Sequence, residues 1–285
     1  MTVRNQGSRP HRQIDPHALD GFDKDTFASL GRRHDVYRTG SGPAVIVIHE
    51  VPGITPLVAA FARKVAERGM TAVMPELFGT AGAVESTRYL LNEVARACVN
   101  SEFTKLALNK TSPVTAYLRA LATHEHERCG GPGVGAVGMC LTGGFALAMS
   151  VDPIMLAPVL SQPSLPLPFR EAQRRALGLS DDDLATVKTR VEGGLCVMGL
   201  RFSGDKTSPP ERFTRLREEL GESFLGVEID SSSSNPWGYA KRAHSVLTTD
   251  YSDAENSPTR AALDGVLEFL TTRLGVGEAN ERPAS

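Results

Sequence analysis

The cysteine in GAVGMCLTGG lies in the sequence context of this chain that best suits a nucleophile. Cys140 follows an apolar, strand-like run and precedes LTGGFALAM, which has helical character. Small residues such as Gly138 and Gly143 flank it and allow a strand and a helix to approach closely around a sharp turn. On such a turn the side chain stands at the carboxyl edge of a sheet, where the helix start favours negative charge. We therefore interpret Cys140 as a nucleophile, against the alternative of a small buried hydrophobe.

An acid and a base follow Cys140 in the chain order that such a nucleophile needs. Asp205 comes just after a strand-like run, in the Gly/Ser/Pro-rich loop GLRFSGDKTSPP, and His244 is the one histidine beyond it. The sequence predicts that Asp205 orients His244, which takes the thiol proton, while the backbone N–H of Leu141 stabilises an oxyanion. The alternatives are a turn aspartate and a surface histidine.

Glu50 is the last residue of AVIVIHE, a β-branched run typical of a buried strand. Its carboxylate is expected at the same sheet edge as Cys140. A carboxylate near a thiolate raises the pKa of the thiol by like-charge repulsion, so a functional Glu50 has to move or be protonated. The alternative is an acid that stabilises the start of a helix.

Strand-like and helix-like runs alternate along the chain and predict an α/β fold with one doubly wound, mostly parallel sheet and helices on both faces. The predicted strands cover residues 32–40, 44–50, 71–77, 133–140, 154–160, 195–202 and 224–230. The predicted helices cover residues 56–69, 85–128, 141–150, 170–190, 211–220 and 257–274. The helical region over 85–128 is expected to break at Ser101 and at Pro113. The predicted domain organisation is a flexible polar tail over 1–21, a single domain over 22–276, and a frayed end over 277–285.

Composition narrows the function classes. The chain has 285 residues, 41% hydrophobic and 22% charged, with a formal net charge of -2 and no basic stripe, so nucleic acid is not expected as a partner. No apolar run approaches the roughly 20 residues that span a bilayer, and the polar N-terminus lacks the features of a secretory signal. The four separate cysteines form no CxxC or zinc spacing, so we predict no metal, no cofactor and a cytoplasmic location.

Over residues 36–274 the sequence resembles the dienelactone hydrolase family, in AVIVIHEVPGI, TAVMPELFG, GAVGMCLTGG and the loops of Asp205 and His244. The resemblance implies the α/β-hydrolase fold and a triad of Cys140, Asp205 and His244. It also implies that Glu50 contacts the thiol in the resting enzyme and is displaced by substrate.

The resemblance further implies that the backbone N–H of Val51 joins that of Leu141 in an oxyanion hole. Where the dienelactone-cleaving relative has two substrate-binding arginines, this chain has GTAG at 79–82 and Thr248. An anionic lactone is therefore not expected, unless other arginines compensate; the candidates are Arg88, Arg201 and Arg242.

Two further departures bear on the site. Thr142 replaces the glycine usual after the elbow and is expected to crowd the approach of helix and strand, with Gly143 and Gly144 supplying space. The insert over 163–190 is expected to form either a lid or an interface.

These observations together predict a hydrolase that cleaves carboxylic esters or lactones through a thioacyl intermediate on Cys140. The predicted partner is a small-molecule ester or lactone, and a homodimer is left open. The alternatives are a non-catalytic protein of the same fold that binds a ligand or a partner chain, and an acyltransferase that uses the same acyl-enzyme.

Overall fold

An eight-stranded sheet forms the centre of the computed structural model, which describes residues 13–86, 112–165 and 171–277. Its strand order is β1-β2-β4-β3-β5-β6-β7-β8, and β2 runs antiparallel to β1 and β4 while all other pairs are parallel. The strands are β1 Asp23–Ser29, β2 Arg32–Gly40, β3 Ala44–Ile48, β4 Thr71–Pro75, β5 Val134–Met139, β6 Met155–Ser161, β7 Val197–Phe202 and β8 Phe224–Ile229. The predicted mostly parallel sheet is confirmed.

Helices cover both faces of this sheet. They are α1 Pro56–Glu67, α2 Pro113–Cys129, α3 Gly143–Met149, α4 Glu171–Arg175, α5 Asp181–Glu192, α6 Pro210–Leu220 and α7 Pro258–Arg273, with 3₁₀ turns at Cys140–Thr142 and Gly221–Ser223. Side chains alternate along the central strand β3, so Val45 and Val47 pack with α1 and α7, whereas Ile46 and Ile48 pack with α2 and α3. This two-sided burial explains why β3 is a continuous apolar run.

Helices α1 and α2 each begin at a capping residue of a type that commonly caps helices, followed in the sequence by a proline. Thr55 caps α1 by accepting a hydrogen bond from Val58 N (3.3 Å), and Ser112 caps α2 by accepting one from Val114 N (3.1 Å). A proline follows each cap, in the first turn, where a missing N–H costs no helical hydrogen bond. The boundary predicted at Pro113 is therefore a helix start, and residues 87–111 of the predicted helical region lie outside the described residues.

Two parts of the structure differ from the predictions for the N-terminal region. β1 was not predicted, because its sequence DKDTFAS is polar and exposed on an edge strand. Residues 13–21, predicted as flexible tail, lie against the body of the protein: Asp15 N donates to Gly82 O (2.9 Å) and Arg63 Nη2 donates to Ala18 O (2.8 Å). The predicted frayed end lies outside the described residues beyond position 277.

Candidate active site

Cys140 occupies a left-handed backbone conformation, with φ of +56°, at the junction of β5 and α3. This conformation is uncommon for a residue with a side chain and costs on the order of 1–3 kcal/mol, so the surrounding structure has to hold it. Gly138 and Gly143 make the turn feasible. A Cβ on Gly138 would lie 2.4 Å from Thr142 O, and one on Gly143 would lie 2.7 Å from Pro163 Cα. A Cβ on Gly144 would meet nothing closer than 3.6 Å, so only the first glycine of the pair is needed for the close approach.

Thr142 does not crowd the elbow as the sequence led us to expect. Its buried hydroxyl accepts a hydrogen bond from Met139 N (2.9 Å) and lies 2.8 Å from Ile48 O and from Met139 O. The single hydroxyl proton is therefore directed at carbonyl groups at the ends of β3 and β5. Thr142 links the two strand ends at the elbow, a contact that glycine cannot make.

Asp205 and His244 come together at the same edge of the sheet. His244 Nδ1 lies 2.6 Å from Asp205 Oδ2, and Oδ1 accepts hydrogen bonds from Thr207 N (2.8 Å) and Thr207 Oγ1 (2.7 Å). Asp205 is only 4% exposed. Burial alone would raise the pKa of this carboxyl, but the hydrogen bonds from His244 and Thr207 outweigh burial and hold the pKa below its usual value.

Cys140 lies close enough to His244 to affect the protonation of its ring. Burial opposes protonation of its ring, but the charge of the Cys140 sulfur and hydrogen bonds to Asp205 and Cys140 outweigh burial and raise its pKa well above the usual value. The ring is 25% exposed, so it remains accessible from solvent. The backbone of this loop is held by Asp250 Oδ2, which accepts from His244 N (2.8 Å) and Ser245 N (3.0 Å).

The two backbone N–H groups predicted for an oxyanion hole, those of Val51 and Leu141, come just after two strands that are neighbours in the sheet. β3 and β5 pair in parallel, with Ile48 opposite Gly138, so Val51 and Leu141 both lie beyond the carboxyl ends of this pair. Leu141 is in the first turn of a helical segment, where N–H groups have no intrahelical acceptor. Its N–H is thus a donor that a ligand at this edge can use.

Glu50 is 5% exposed and lies at this edge, with its carboxylate directed at neutral side chains. Oε2 accepts from Ser245 Oγ (2.8 Å) and Gln162 Nε2 (3.1 Å), and Oε1 accepts from Thr248 Oγ1. Burial raises the pKa of Glu50, although the Thr248 and Ser245 hydrogen bonds and nearby His244 act in the opposite direction. These side-chain hydrogen bonds, made within the described part of the chain, do not include the thiol contact that the family resemblance implies.

With this geometry established, comparison with known proteins identifies the family. A sequence model of the dienelactone hydrolase family matches residues 33–173. This part of the chain belongs to that family. The match contains Glu50 and Cys140 but ends before Asp205 and His244, so only the structure bears on how Asp205 and His244 lie relative to Cys140. No curated protein matches the sequence.

Solved structures show the same α/β-hydrolase fold. A candidate dienelactone hydrolase of Klebsiella pneumoniae superposes with a TM-score of 0.55 at 16% identity, covering 89% of this chain and 98% of that one. The dienelactone hydrolase-like promiscuous phosphotriesterase P91, from metagenomic libraries, has a TM-score of 0.55 at 14% identity, with the same coverage of 89% and 98%. The 2,6-dihydroxy-pseudo-oxynicotine hydrolase has a TM-score of 0.55 at 16% identity, covering 88% and 68%. Identities this low establish the fold and no more.

Several residues of the site were not predicted from the dienelactone hydrolase motifs. Gln162, Thr207, Ser245 and Asp250 each hold a predicted site residue through the hydrogen bonds given above. Only Thr207 carried a local signal, because a hydroxyl residue two positions after an aspartate is typical of a turn in which the aspartate accepts its N–H. Gln162 and Ser245 contact Glu50 across more than 100 residues of sequence, whereas Asp250 acts within its own loop.

His49 is a further buried residue that the sequence left unassigned. Leu77 N donates to His49 Nε2 (3.1 Å), so the ring proton lies on Nδ1, which donates to Glu50 O (3.0 Å). Burial lowers the pKa of His49 to about 4, so the ring is neutral at physiological pH. His49 therefore fixes the backbone of Glu50 and is not placed for proton transfer.

Of the arginines considered as substitutes for the family's substrate-binding pair, Arg201 is held by protein contacts and Arg242 is exposed. Arg201 is 1% exposed and its guanidinium binds Ser208 O (2.9 Å), Ser203 O (3.1 Å) and the Glu228 carboxylate. Arg88 lies outside the described residues. Arg201 therefore stabilises the loop that carries Asp205 from the inside and is not exposed to a substrate.

The described parts of the 163–190 insert pack against the elbow helix α3 and against α6. Arg212, on α6, is buried and donates to Pro163 O (2.6 Å), Gln173 O (3.1 Å) and Ala176 O (2.7 Å). Burial lowers the pKa of Arg212 to about 10, although the charges of Asp205 and Glu211 act in the opposite direction. The insert is therefore anchored at Pro163, the residue that faces Gly143.

Metal-binding clusters and membrane-spanning helices are both absent from the described residues. No group of three or more His, Cys, Asp or Glu side chains there is arranged to hold a metal ion. None of the helices in the described ranges combines the length and the apolar character needed to cross a membrane.

Proposed function

We propose that the protein hydrolyses carboxylic esters or lactones by covalent catalysis at Cys140. The observation that carries the proposal is the arrangement of Cys140 on a left-handed turn beside His244, whose Nδ1 lies 2.6 Å from the buried Asp205. Membership of a hydrolase family supports enzymatic hydrolysis, and the arrangement of these side chains supports the nucleophile, base and acid roles.

In the acylation half-reaction, His244 takes the thiol proton and the thiolate attacks the ester carbonyl carbon. The raised pKa of His244 lets the ring hold that proton near neutral pH. The negative charge that develops on the carbonyl oxygen is stabilised by the N–H groups of Val51 and Leu141. As the tetrahedral intermediate collapses, the C–O bond breaks, His244 donates its proton to the leaving alkoxide, and the acyl group remains on Cys140.

Deacylation reverses these roles with water as the nucleophile. His244, now neutral, accepts a proton from water while the hydroxide attacks the thioester carbon. The C–S bond breaks, the thiolate of Cys140 leaves, and a carboxylic acid is released. Asp205 keeps the histidine ring oriented through both half-reactions.

The nucleophile favours esters over amides. A thiolate is expelled from a tetrahedral intermediate more readily than an amine, so an amide substrate returns to the starting complex. We expect peptide hydrolysis to be at least about 10³-fold slower than hydrolysis of an activated ester, a difference of about 4 kcal/mol in barrier. Efficient cleavage of peptides would contradict this assignment.

The test is a panel of p-nitrophenyl esters and lactones, with one phosphotriester because P91 acts on that class. Cys140→Ala should lose at least about 10³-fold in kcat on every hydrolysed substrate. The control Cys129→Ala removes another free thiol at the opposite end of the sheet and should retain activity. Adding alcohols to the assay distinguishes acyl transfer from hydrolysis by its products.

Alkylation by iodoacetamide separates catalysis from ligand binding. A Cys140 paired with His244 should react faster than Cys129 and Cys196 near neutral pH, and activity should disappear with its modification. An unreactive Cys140 and an inactive wild-type protein would instead favour the non-catalytic binding protein.

A further inference from the structure

Glu50 connects the loop of His244 to the ends of the central strands. Ser245 and Thr248 lie on the same loop as His244, which we call the histidine loop, residues 244–250. Ser245 Oγ donates to Glu50 Oε2 (2.8 Å) and Thr248 Oγ1 donates to Oε1. One carboxylate therefore binds the histidine loop at two points, directly after His244 and one turn later.

Gln162 extends this connection to the elbow. Its Nε2 donates to Glu50 Oε2 (3.1 Å), and its orientation is set because Oε1 accepts from Ser161 Oγ. Its backbone is left-handed, with φ of +36°, and Gln162 O accepts from Ser164 Oγ (3.1 Å). Ser164 N in turn donates to Cys140 O (2.9 Å).

We propose that Glu50 is a positioning residue that holds the histidine loop in register with Cys140, and that in this protein it does not act on the thiol. The inference rests on the proposed function and departs from the thiol contact implied by the family. Both carboxylate oxygens are occupied by neutral donors. Turning toward Cys140 would leave the buried hydroxyls of Ser245 and Thr248 and the amide of Gln162 without an acceptor.

The residue at position 248 makes this arrangement specific to the chain. The dienelactone-cleaving relative has arginine four positions after its catalytic histidine, where Thr248 stands here. Thr248 is buried, and its short hydroxyl donates to Glu50 in place of a substrate-binding cation. At the position where the family resemblance implies a substrate-binding arginine, this chain therefore has a partner for Glu50.

The experiment compares Thr248→Val, Thr248→Ser, Glu50→Gln and the double variant Glu50→Gln/Thr248→Val in kcat and KM on the best ester of the panel. Thr248→Val removes only the hydroxyl and should lower kcat about tenfold or more with KM within about twofold, because a displaced base weakens proton transfer and not binding. Thr248→Ser keeps the hydroxyl and should stay within about threefold of wild type. The double variant should be no worse than its more impaired parent, because both changes break the same contact.

A second measurement needs no substrate: the rate of Cys140 alkylation by iodoacetamide as a function of pH. Loss of the Glu50 contact should move the midpoint of this profile in Thr248→Val toward that of an unpaired thiol, and Glu50→Gln should not accelerate the reaction. An acceleration of about tenfold in Glu50→Gln, or an unchanged midpoint and kcat in Thr248→Val, would overturn the positioning role. The proposed function fails separately, if wild-type Cys140 alkylates no faster than Cys129. Circular dichroism and Tm verify that each variant is folded.

Discussion

The Asp205 carboxylate divides its two oxygens between different partners. Oδ1 is saturated by the backbone and side chain of Thr207, which leaves Oδ2 for His244 Nδ1 at 2.6 Å. A carboxylate fixed in this way determines which ring nitrogen of His244 carries a proton and which one faces Cys140. The orientation of the His244 ring is therefore fixed by contacts within the protein.

Asp205→Asn should lower kcat by about 10³- to 10⁴-fold, because an amide at this position favours the wrong tautomer of His244. KM should change little, since Asp205 is buried and its side chain is directed at Thr207 and His244. The measurement is steady-state hydrolysis of the best p-nitrophenyl ester. Asp264→Asn, at an exposed position on α7, is the control and should match wild type. Equal losses in both variants would remove Asp205 from the mechanism.

The raised pKa of His244 also predicts how stability depends on pH. Because the folded-state pKa lies above the unfolded value of about 6.5, folding takes up a proton at pH values between the two. The resulting stabilisation is fully present below about pH 6.5 and is lost as the pH rises through the folded-state value. The Asp205→Asn variant lacks one cause of the raised pKa of His244, so it should lose less stability above pH 6.5 than the wild-type protein does. Urea unfolding at a series of pH values tests this, and parallel curves for the two proteins would contradict it.

At the residue scale, the sequence carried information only where a local pattern existed. The glycine pattern around Cys140 and the loops after strands indicated which residues to consider, whereas the contacts of Glu50 had no local signal. Its partners Gln162, Ser245 and Thr248 lie 112, 195 and 198 residues away along the chain. Hydroxyl and amide side chains at such separations are indistinguishable in sequence from ordinary surface residues.

At the scale of elements, the elbow depends on how closely α3 approaches the end of β5 and the insert. Gly143→Ala should destabilise the protein by about 1–3 kcal/mol, because the added Cβ would lie 2.7 Å from Pro163 Cα. Gly144→Ala, one residue later in the same helix, meets only Leu177 O at 3.6 Å and should be neutral or stabilising. Thermal unfolding of the pair is a matched test. Similar Tm values would show that the approach at Gly143 can relax.

The starts of helices could be predicted where a capping residue or a proline marked them. The ends of strands were harder to predict. The run AVIVIHE predicted a strand through Glu50, but β3 ends at Ile48 and the next two residues already belong to the site. Burial continues through His49 and Glu50, so the end of the strand is not marked by a change from buried to exposed residues. β1 was missed because an exposed edge strand has no apolar period to detect.

At the scale of the whole molecule, a buried ion pair joins the antiparallel end of the sheet to α2. Arg38 on β2 donates through Nε to both carboxylate oxygens of Glu125 on α2, at 2.9 and 3.0 Å. Both side chains are buried, and their other ionic neighbours, Arg128 at 3.5 Å from Glu125 and Asp25 at 3.7 Å from Arg38, are more distant and exposed, so each charge is compensated mainly by the other. In the register of β2 and β4, Arg38 lies opposite Val73, the middle residue of β4.

Arg38→Met should therefore destabilise the protein by about 3–5 kcal/mol, because it leaves the Glu125 carboxylate buried without its bidentate partner. The double variant Arg38→Met/Glu125→Leu should recover most of this loss, since no charge remains to be compensated. Free energies of unfolding from urea titrations give both values, and kcat at permissive temperature should be unaffected. A double variant no more stable than Arg38→Met would mean that the charge is not the cause.

The left-handed backbone at position 140 restricts which nucleophiles this scaffold can accept. Branching at Cβ is disfavoured at a φ of +56°, so threonine is a poor replacement there even though its hydroxyl is chemically competent. Serine and cysteine are unbranched and share the same backbone demands. Cysteine and serine at position 140 can therefore replace each other by changing a single atom, sulfur or oxygen, without a change in the backbone. Replacement by threonine is disfavoured because its branched Cβ does not suit this backbone conformation.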